Sequence, residues 1–329
     1  MSPVLSIIIP LYNTEQYIGQ CIRSIVDRNI DPSLYEIIVV DDGSTDSSAK
    51  IVENLCAEHA NIHLLRQENR GVSAARMAGV AQAKGTYIWF IDSDDWIEEN
   101  ALTKVLDNIS SNTVDILITP FVLRFPDSRN DFISPVIKKP DIVEGRDLLR
   151  TKQYIFVGPP YFVFKRVFLD DSWLYFPEHT RFEDEYFSRV LLYRAKTIQL
   201  LTEPLYNYRQ NLDSFMHSSN IESAAFFITV YNHLKRFADS EVVKTDKKWF
   251  SYNITSFLLE SIVRNLDQVN MPGFSNFRKR HFPFIRREFL ANISCFPLKE
   301  QLLGLYLLYF PKSYAKSIQK HTARKVSQI

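Results

Sequence analysis

Short apolar runs alternate with stretches of helical spacing along the first 120 residues of the chain. The apolar runs predict β-strands at residues 5–9, 36–40, 62–66, 87–91 and 114–119. Apolar residues three and four positions apart predict helices at residues 13–27, 45–59, 72–84 and 98–109. Continuous apolar strands between helices are typical of a parallel sheet that is covered on both faces. The pattern therefore predicts an α/β fold with a mostly parallel sheet flanked by helices.

The pattern changes beyond this region. Three prolines interrupt residues 121–143, and this stretch predicts a loop or a small hairpin. Helical spacing returns at residues 182–193, and the chain is mostly helical in pattern from residue 218 onward. We therefore expect a mainly helical C-terminal region at residues 218–329.

Polar clusters follow three of the predicted strands. The first cluster is residues 10–13, the second is DDGSTD at residues 41–46, and the third is DSDD at residues 92–95. The carboxyl ends of parallel strands open on one edge of a sheet, where open α/β folds bind their ligands. Either acidic segment alone is also typical of a capped turn or a solvated loop. Their joint placement at one edge favours a binding site.

The carboxylates in these segments indicate a metal site. They are Asp41, Asp42, Asp92, Asp94 and Asp95. Like charges at one rim are unfavourable unless a cation neutralises them, and hard divalent cations prefer oxygen ligands. Mg²⁺ and Mn²⁺ leave positions for phosphate oxygens, so the expected ligand is a diphosphate bridged by the metal. The nine glycines form neither GxGxxG nor the Walker pattern, which excludes those two kinds of phosphate site.

The order of the motifs resembles glycosyltransferase family two. The matching segments are SIIIPLYN at 6–13, DDGSTD at 41–46, NRGVSAARMAG at 69–79, IDSDD at 91–95, FPEHTRFEDEYF at 176–187 and LYNYRQNLDS at 205–214. The resemblance implies the GT-A fold, an inverting mechanism and a nucleotide-sugar donor. It also implies a catalytic domain at residues 1–217, with a nucleotide-binding half at 1–120 and an acceptor and catalytic-base half at 121–217.

The resemblance implies roles for the residues at the donor end of the site. Pro10, Tyr12 and Asp42 would form the nucleotide pocket, Arg76 would lie near the nucleotide, and Asp92 would lie near the ribose or a phosphate.

A second group of residues is implied around the metal. Asp94 is the expected ligand and Asp95 supports it, with Asp41 as a further supporting residue. Arg209 is a candidate for contacting the diphosphate, and His217 is a candidate for the metal or the diphosphate. A lone histidine is more often not a ligand.

The pair Glu183-Asp184 resembles the family's acidic motif, whose Asp acts as the base. In an inverting transfer, the acceptor hydroxyl must lose its proton while the metal stabilises the leaving diphosphate. The resemblance therefore implies Asp184 as the base, with Glu185 as its local competitor and Glu183 as a supporting residue. Taken alone, these acids are more typical of an ordinary helix N-terminus, where the helix dipole favours them.

The expected reaction moves a hexose or N-acetylhexosamine from a UDP-sugar, with Mn²⁺ or Mg²⁺, to a glycan or lipid-linked oligosaccharide in surface polysaccharide synthesis. A sugar-phosphate nucleotidyltransferase is an alternative, but it requires a Gly-rich basic loop that residues 10–16 lack. A catalytically inactive GT-A-like partner subunit is the non-enzymatic alternative. The intact Asp94 and Asp184 argue against it.

The charge is unevenly distributed. The whole chain has a net charge of +1, whereas residues 272–329 contain eleven Lys or Arg and only two acids. Basic, aromatic and apolar residues follow one another at 277–325, which predicts a contact with an anionic membrane surface. The alternative is a helical pair packed on the core with a solvated basic face. No nucleic-acid-binding motif accompanies the charge, so nucleic acid is not an expected partner.

Cysteine usage and hydropathy bear on the compartment. The three cysteines are far apart and form no CxxC pair, which is typical of a reducing cytosol. No run approaches the ~20 apolar residues that a spanning helix needs, and residues 4–9 lack the pattern of a signal peptide. We therefore expect a cytoplasmic protein that is peripheral on the cytoplasmic face of the membrane.

Overall fold

The computed structural model describes residues 2–26, 30–111, 113–127, 131–134, 142–150, 158–210, 224–266, 269–270 and 272–326. The chain forms two compact units. The first comprises Met1–His179 and Glu183–Asp213, and the second comprises Thr180–Phe182 and Ser214–Ile329.

The first unit contains two sheets and several helices. Its strands are β1 Leu5–Leu11, β2 Tyr35–Asp41, β3 Ile62–Arg66, β4 Tyr87–Phe90, β5 Trp96–Ile97, β6 Ile116–Ile118, β7 Phe121–Arg124, β8 Phe132–Ile133, β9 Ile142–Val143, β10 Phe162–Lys165, β11 Ile198–Leu200 and β12 Tyr206–Arg209. Its helices are α1 Ile18–Val26, α2 Ser48–Glu58, α3 Val72–Gln82, α4 Ala101–Ser111, α5 Gly145–Arg150 and α6 Glu183–Arg194. The larger sheet has the order β3-β2-β1-β4-β10-β6-β11-β9, and the smaller has the order β5-β12-β7-β8.

The parallel part of the larger sheet carries the core. Strands β3, β2, β1 and β4 are parallel to one another, and every residue of β1 and β2 is buried. Pro10 lies in β1 although proline has no N–H to donate. The pairing of β1 with β4 ends at Ile8, so the proline interrupts no hydrogen bond on that side. The predicted α/β fold is confirmed.

The rest of the larger sheet is mixed. Strand β10 runs antiparallel to both β4 and β6, and β9 runs antiparallel to β11. In the region predicted as a loop or hairpin, β7 pairs antiparallel with β8, and β12 joins β7 in parallel. The smaller sheet therefore brings β12 beside β5, which directly follows the DSDD segment.

Three predicted helix starts are wrong by several residues. Helix α1 begins at Ile18 and not at residue 13, because Asn13 has a φ of 51° and lies in the left-handed region. Helix α2 begins at Ser48, after a loop that residues 45–47 complete. Helix α4 begins at Ala101, because the Glu98 N–H donates to the Leu205 carbonyl at 2.9 Å instead of entering a helix.

The second unit is helical, as expected. Its helices are α7 Ala224–Glu241, α8 Lys247–Val263, α9 Pro272–Ala291, α10 Leu298–Tyr309 and α11 Pro311–Val326. The aromatic side chains of α9 face the interior of this unit, with Phe277, Phe282 and Phe289 all buried. Within the described residues, no helix combines the length and hydropathy needed to cross a bilayer.

Candidate active site

The loops after β1 and β2 are joined at the carboxyl edge of the sheet. The Asn13 side-chain oxygen accepts a hydrogen bond from the Thr45 N–H at 2.8 Å, and the Thr14 N–H donates to the Ser48 hydroxyl at 2.9 Å. The Thr14 hydroxyl in turn donates to the Ser93 hydroxyl at 3.0 Å. These bonds connect the first two polar clusters to the DSDD turn, as the strand order predicts.

The carboxylate of Asp42 binds the start of α3. Its Oδ1 accepts from the Arg70 N–H at 2.9 Å and from Gln67 at 2.7 Å, and its Oδ2 accepts from the Gly71 N–H at 2.8 Å. Gly71 has a φ of 87°, which favours glycine. Asp42 therefore fixes the loop before α3, and the helix dipole favours its charge there.

Asp41 has partners in its own loop and on β3. Its Oδ1 accepts from the Ser44 N–H at 3.0 Å, and its Oδ2 lies 3.9 Å from Arg66 Nε. Asp41 thus stabilises its own loop and contacts the edge strand β3. The structure gives it a local partner instead of a place beside a cation.

The DSDD turn is fixed by β12. The Asp95 side chain is 1% exposed, and its two oxygens accept from the Tyr206 hydroxyl at 2.5 Å and the Arg209 N–H at 2.8 Å. Burial raises the pKa of Asp95 well above its usual value, and the charges of Asp94 and Asp92 raise it further. Both Asp95 oxygens are occupied by protein donors, so this residue positions the turn.

Arg209 contacts protein groups around the DSDD turn, and its contact with a diphosphate stays a prediction. Its guanidinium lies 4.6 Å from the centre of the Tyr17 ring and 4.5 Å from that of Trp96. Its Nε donates to the Asp94 carbonyl at 2.8 Å, and its Nη2 donates to Gln20 at 2.6 Å. The guanidinium therefore holds the backbone of Asp94 while leaving the Asp94 carboxylate unengaged.

The Asp94 carboxylate has the properties of a cation ligand. In the described part of the chain no donor forms a hydrogen bond or ion pair with it, apart from its own backbone N–H. Burial, followed by the charge of Asp92, raises the pKa of Asp94 to about 6. A divalent cation would relieve both effects, and carboxylate oxygens suit Mg²⁺ and Mn²⁺. Asp94, with the neighbouring Asp92, therefore fits the metal that the fold family implies.

The five carboxylates of the predicted rim do not act as one group. No group of three or more His, Cys, Asp or Glu side chains in the described residues is arranged to hold a metal. The physical reason is that Asp41, Asp42 and Asp95 are each satisfied by protein donors. Only Asp94 and part of Asp92 remain.

Arg76 connects the DSDD turn to α6. One Nη donates to Asp92 Oδ1 at 2.9 Å, and the other donates to Glu183 Oε1 at 3.1 Å. The guanidinium also lies 5.2 Å from the centre of the Phe176 ring, and Arg76 is 4% exposed. Burial alone would lower the pKa of Arg76, but Asp92 and Glu183 outweigh burial and raise it. Arg76 therefore stays charged and holds two acidic segments together.

The three acids at the start of α6 have different partners. Glu183 pairs with Arg76, and Glu185 pairs with Arg189 one turn later on the same helix. Asp184 forms no ion pair with a described side chain, and its Oδ1 accepts from the Glu185 N–H at 2.9 Å. Burial raises the pKa of Asp184 well above its usual value, with Glu185 and Glu183 adding to the shift. Asp184 is thus the acid of this helix start that is best suited to accept a proton.

Tyr161 is an electrostatic neighbour of both acidic segments. Burial raises the pKa of Tyr161 well above its usual value, and Asp95, Asp92 and Asp184 are among the charges that raise it further. The Tyr161 ring packs edge-on against Tyr206, at 5.9 Å between ring centres. Tyr161 therefore contacts the tyrosine whose hydroxyl binds Asp95 of the DSDD turn.

The remaining predicted residues divide into one buried, one exposed and one outside the described residues. Pro10 is buried in β1, whereas the Tyr12 side chain is 48% exposed beyond its end. An exposed aromatic face at the strand end can stack on a base. His217 lies outside the described residues.

The sequence pattern did not identify several residues that build the site. Tyr206 and the pair Tyr17 and Trp96 fix the DSDD turn, yet they lie in segments of ordinary aromatic content. The signal that could have pointed to Tyr206 is its place in LYNYRQNLDS, the last matching motif.

Comparison with known proteins identifies the family. The profile of Glycosyl transferase family 2 matches residues 6–173, just over half of the chain. The chain belongs to this family. The matched segment contains every strand of the parallel core, the DSDD turn and Arg76. The resemblance to glycosyltransferase family two that the sequence motifs indicated is confirmed.

Related proteins agree with this assignment. The chain is 33% identical to the glycosyltransferase EpsJ of Bacillus subtilis, and the alignment covers 65% of the present chain. It is 28% identical to a poly(ribitol-phosphate) beta-glucosyltransferase of Bacillus spizizenii over 90% of its length. The chain spans 63% of the first relative and 50% of the second, less than two thirds of either.

A solved structure matches nearly the whole fold. Residues 1–349 of Staphylococcus aureus TarS, in complex with UDP-GlcNAc, superpose with a TM-score of 0.68 at 19% identity. The match covers 98% of this chain and 92% of that one. The GT-A fold with a helical C-terminal region is therefore confirmed.

Proposed function

We propose that this protein is an inverting, metal-dependent glycosyltransferase that uses a UDP-sugar donor. The observation that carries the proposal is the bridge formed by Arg76 between Asp92 of the DSDD turn and Glu183, the neighbour of Asp184. A cation ligand and a candidate base thus belong to one connected set of residues. Such a set is what an in-line displacement at a sugar carbon requires.

The donor half of the proposal assigns the nucleotide to the edge after β1 and β2. Tyr12 would stack on the base, and Asp42 would shape the pocket through the loop that it fixes before α3. UDP is the proposed nucleotide because TarS, the structural neighbour, is known in complex with UDP-GlcNAc. A hexose and an N-acetylhexosamine are both compatible with this assignment.

Asp94 would hold Mn²⁺ or Mg²⁺ with help from Asp92. The bound ion would stabilise the charge that develops on the leaving diphosphate. Asp95 and Arg209 would keep Asp94 in position without contacting the donor. Arg76 would keep Asp92 ionised and oriented.

Asp184 would act as the base. The acceptor hydroxyl oxygen forms a bond to the anomeric carbon while its proton moves to the Asp184 carboxylate. The bond between that carbon and the phosphate oxygen breaks, and UDP leaves with the electron pair. A raised pKa makes a carboxylate a better proton acceptor near neutral pH. The pairing of Glu183 and Glu185 with arginines supports Asp184 over its neighbours.

The proposed acceptor is a glycan or a lipid-linked oligosaccharide in bacterial surface polysaccharide synthesis, on the cytoplasmic face of the membrane. Support comes from the Bacillus spizizenii relative, a poly(ribitol-phosphate) beta-glucosyltransferase, which aligns with 90% of this chain. The acceptor in its name is a polymer.

A panel of UDP-sugars tests the proposal. Release of UDP is measured with Mn²⁺, with Mg²⁺ and with a chelator, and UDP binding is measured in parallel. We expect Asp94→Asn to lose metal-dependent UDP binding, while Asp107→Asn, an exposed acid on α4, behaves as the unmodified chain. Metal-independent activity, or normal UDP binding by Asp94→Asn, would overturn the metal assignment.

The same assay separates the alternatives. An inactive partner subunit would bind UDP with metal and turn over no donor. A nucleotidyltransferase would instead consume a sugar phosphate and UTP and release pyrophosphate. Either result would replace the glycosyltransferase proposal.

A further inference from the structure

Helix α10 exposes an apolar face. Apart from Lys299, the exposed residues of the helix and of the position that follows it are large and hydrophobic: Leu298 72%, Leu302 61%, Leu303 42%, Tyr306 37%, Tyr309 44% and Phe310 61% exposed. These six hydrophobic residues, the α10 face, lie on one side of the helix: Leu298, Leu302, Tyr306 and Tyr309 are three or four positions apart, and Leu303 and Phe310 each directly follow one of them. Singly exposed apolar residues are ordinary on a protein surface, whereas a contiguous set marks an interaction site.

The opposite side of α10 is docked on the other helices of the second unit. A Cβ at Gly304 would lie 2.4 Å from the Phe289 ring, so α10 packs closely on α9. The Arg286 Nη2 donates to the Leu308 carbonyl at 2.8 Å, and the Tyr252 hydroxyl donates to Glu300 at 2.8 Å. The orientation of the helix is thus fixed, and the α10 face points outward.

Aromatic contacts make the α10 face continuous with α11. The Tyr306 ring lies 6.1 Å from the Phe310 ring and 5.7 Å from the Tyr314 ring, measured between ring centres. Tyrosines at the edge of an apolar surface are typical of the boundary between lipid chains and head groups.

The charges beside the α10 face are positive. Lys299, Lys312 and Lys316 are exposed at its two ends. Glu300, the acid within α10, is turned inward to Tyr252. An apolar stripe flanked by lysines is the composition of a helix that lies in an anionic interface.

We propose that the α10 face inserts into the head-group region of an anionic lipid bilayer, with Lys299, Lys312 and Lys316 contacting phosphates. The helix has 12 residues and is about 18 Å long, so it would lie along the surface and not cross it. The charge complementarity favours anionic lipid over a second copy of this chain, whose α10 face would carry the same lysines. The inference is independent of the donor and the base.

This proposal narrows the membrane contact that the sequence predicts. The aromatic residues of 277–289 were expected to meet lipid, but Phe277, Phe282 and Phe289 are buried within the second unit. The apolar part of the contact therefore moves to α10. The residues that would face lipid are those that stay exposed when α10 packs on α9.

Vesicle flotation of the full chain tests the proposal. The two preparations are phosphatidylcholine alone and phosphatidylcholine with phosphatidylglycerol. We expect binding to the anionic vesicles only, and a loss of at least about tenfold in the partition coefficient for the double variant Leu302→Glu/Phe310→Glu. Both residues are exposed, so the fold should tolerate the change. Val167→Glu, at a 63% exposed position in the first unit, is the matched control.

A second pair of variants tests the charges. Lys312→Glu/Lys316→Glu should weaken binding to anionic vesicles and reduce its dependence on salt. Lys244→Glu/Lys248→Glu makes the same change in net charge at two exposed lysines near the start of α8 and should bind as the unmodified chain does.

Three outcomes would overturn the proposal. Equal binding to both vesicle types would remove the anionic requirement. Alternatively, Leu302→Glu/Phe310→Glu could bind normally while Lys312→Glu/Lys316→Glu does not bind. That result would indicate a purely electrostatic site, such as one for an anionic polymer. The third outcome is an unmodified chain that does not bind vesicles and is a dimer in light scattering. If Leu302→Glu/Phe310→Glu is then a monomer, the α10 face belongs to a contact with a second copy. UDP binding, measured on the same samples, reports separately on the proposed function.

Discussion

Arg76 Nη1 and Glu183 Oε1 lie 3.1 Å apart, so a buried guanidinium of α3 holds the residue that precedes Asp184. The same guanidinium holds Asp92 of the DSDD turn at 2.9 Å. Two segments separated by 91 positions, one with the candidate cation ligand and one with the candidate base, thus share a single buried charge. The geometry of the site depends on this side chain more than on any of the acids that it binds.

The Arg76→Lys variant tests this dependence. An ammonium cannot donate in two directions with the geometry of a guanidinium, so one carboxylate should lose its partner. We expect the free energy of unfolding in urea to fall by about 1–3 kcal/mol, and transfer activity to fall more steeply than UDP binding. Arg66→Lys, at an exposed ion pair of β3, should change little. Unchanged stability and activity in Arg76→Lys would contradict the bridging role.

The Asp184→Asn variant separates binding from chemistry. The amide keeps the shape of the side chain but cannot accept the proton, so we expect donor KM to be retained and kcat to fall by about 10²–10⁴-fold. Glu185→Gln, next to it and paired with Arg189, serves as the control and should retain most activity. If Glu185→Gln shows the larger loss, the base is Glu185.

The Arg209→Lys variant tests how the cation ligand is held. Lysine cannot fill the space between Tyr17 and Trp96 and also donate to the Asp94 carbonyl. We expect the apparent Kd for Mn²⁺ to rise severalfold, with UDP binding at saturating metal restored. A lost UDP affinity that no metal concentration restores would instead support the diphosphate contact that the sequence indicated.

The pH dependence of stability tests Glu288 in the second unit. Burial alone raises the pKa of Glu288, but hydrogen bonds from Lys235, Tyr231 and Arg287 outweigh it and hold the pKa below its usual value. The lowered pKa stabilises the folded state, and this contribution is complete when the pH is above the pKa of Glu in the unfolded chain, about 4.3. The contribution is lost as the pH falls through the lower pKa of Glu288 in the folded state.

The Glu288→Gln variant should therefore be less stable than the unmodified chain by about 1–3 kcal/mol at pH 7, measured by urea unfolding. The difference should shrink as the pH falls below about 4. Glu260→Gln, which removes an exposed pair with Arg264, should cost no more than about 0.5 kcal/mol. A difference that is constant across pH would show that the charge of Glu288 is not responsible.

The sequence predicted the parallel core because its signal is local. Strands β1, β2 and β4 are buried on both faces, so nearly every residue is apolar, and the polar clusters mark their ends. The antiparallel insertion of β10 between β4 and β6 has no such signal, since it depends on pairings across many positions. The late start of α1 was missed because a left-handed Asn13 leaves no mark in the periodicity.

The sequence points to the acidic strand ends but not to the individual partners of each acid. Acidic residues at strand ends indicate a charged edge, yet the sequence does not show which carboxylates find protein donors. Asp95 and Asp94 are adjacent. The partners on β12 distinguish Asp95, a buried positioning residue, from Asp94, the candidate ligand. The sequence does not show that Arg209 contacts Tyr17 and Trp96, because both lie far from it in the chain.

The hold of β12 on the DSDD turn has a consequence for synthesis. Asp95 meets Tyr206 across 111 positions and Asp94 meets Arg209 across 115, so the candidate cation ligand is synthesised long before the residues that fix it. A nascent chain that ends before residue 206 could form the parallel strands but would leave a buried acid without its donors. Such long-range contacts close late in folding. We expect the ribosome-bound chain to acquire metal affinity only after β12 has emerged from the exit tunnel.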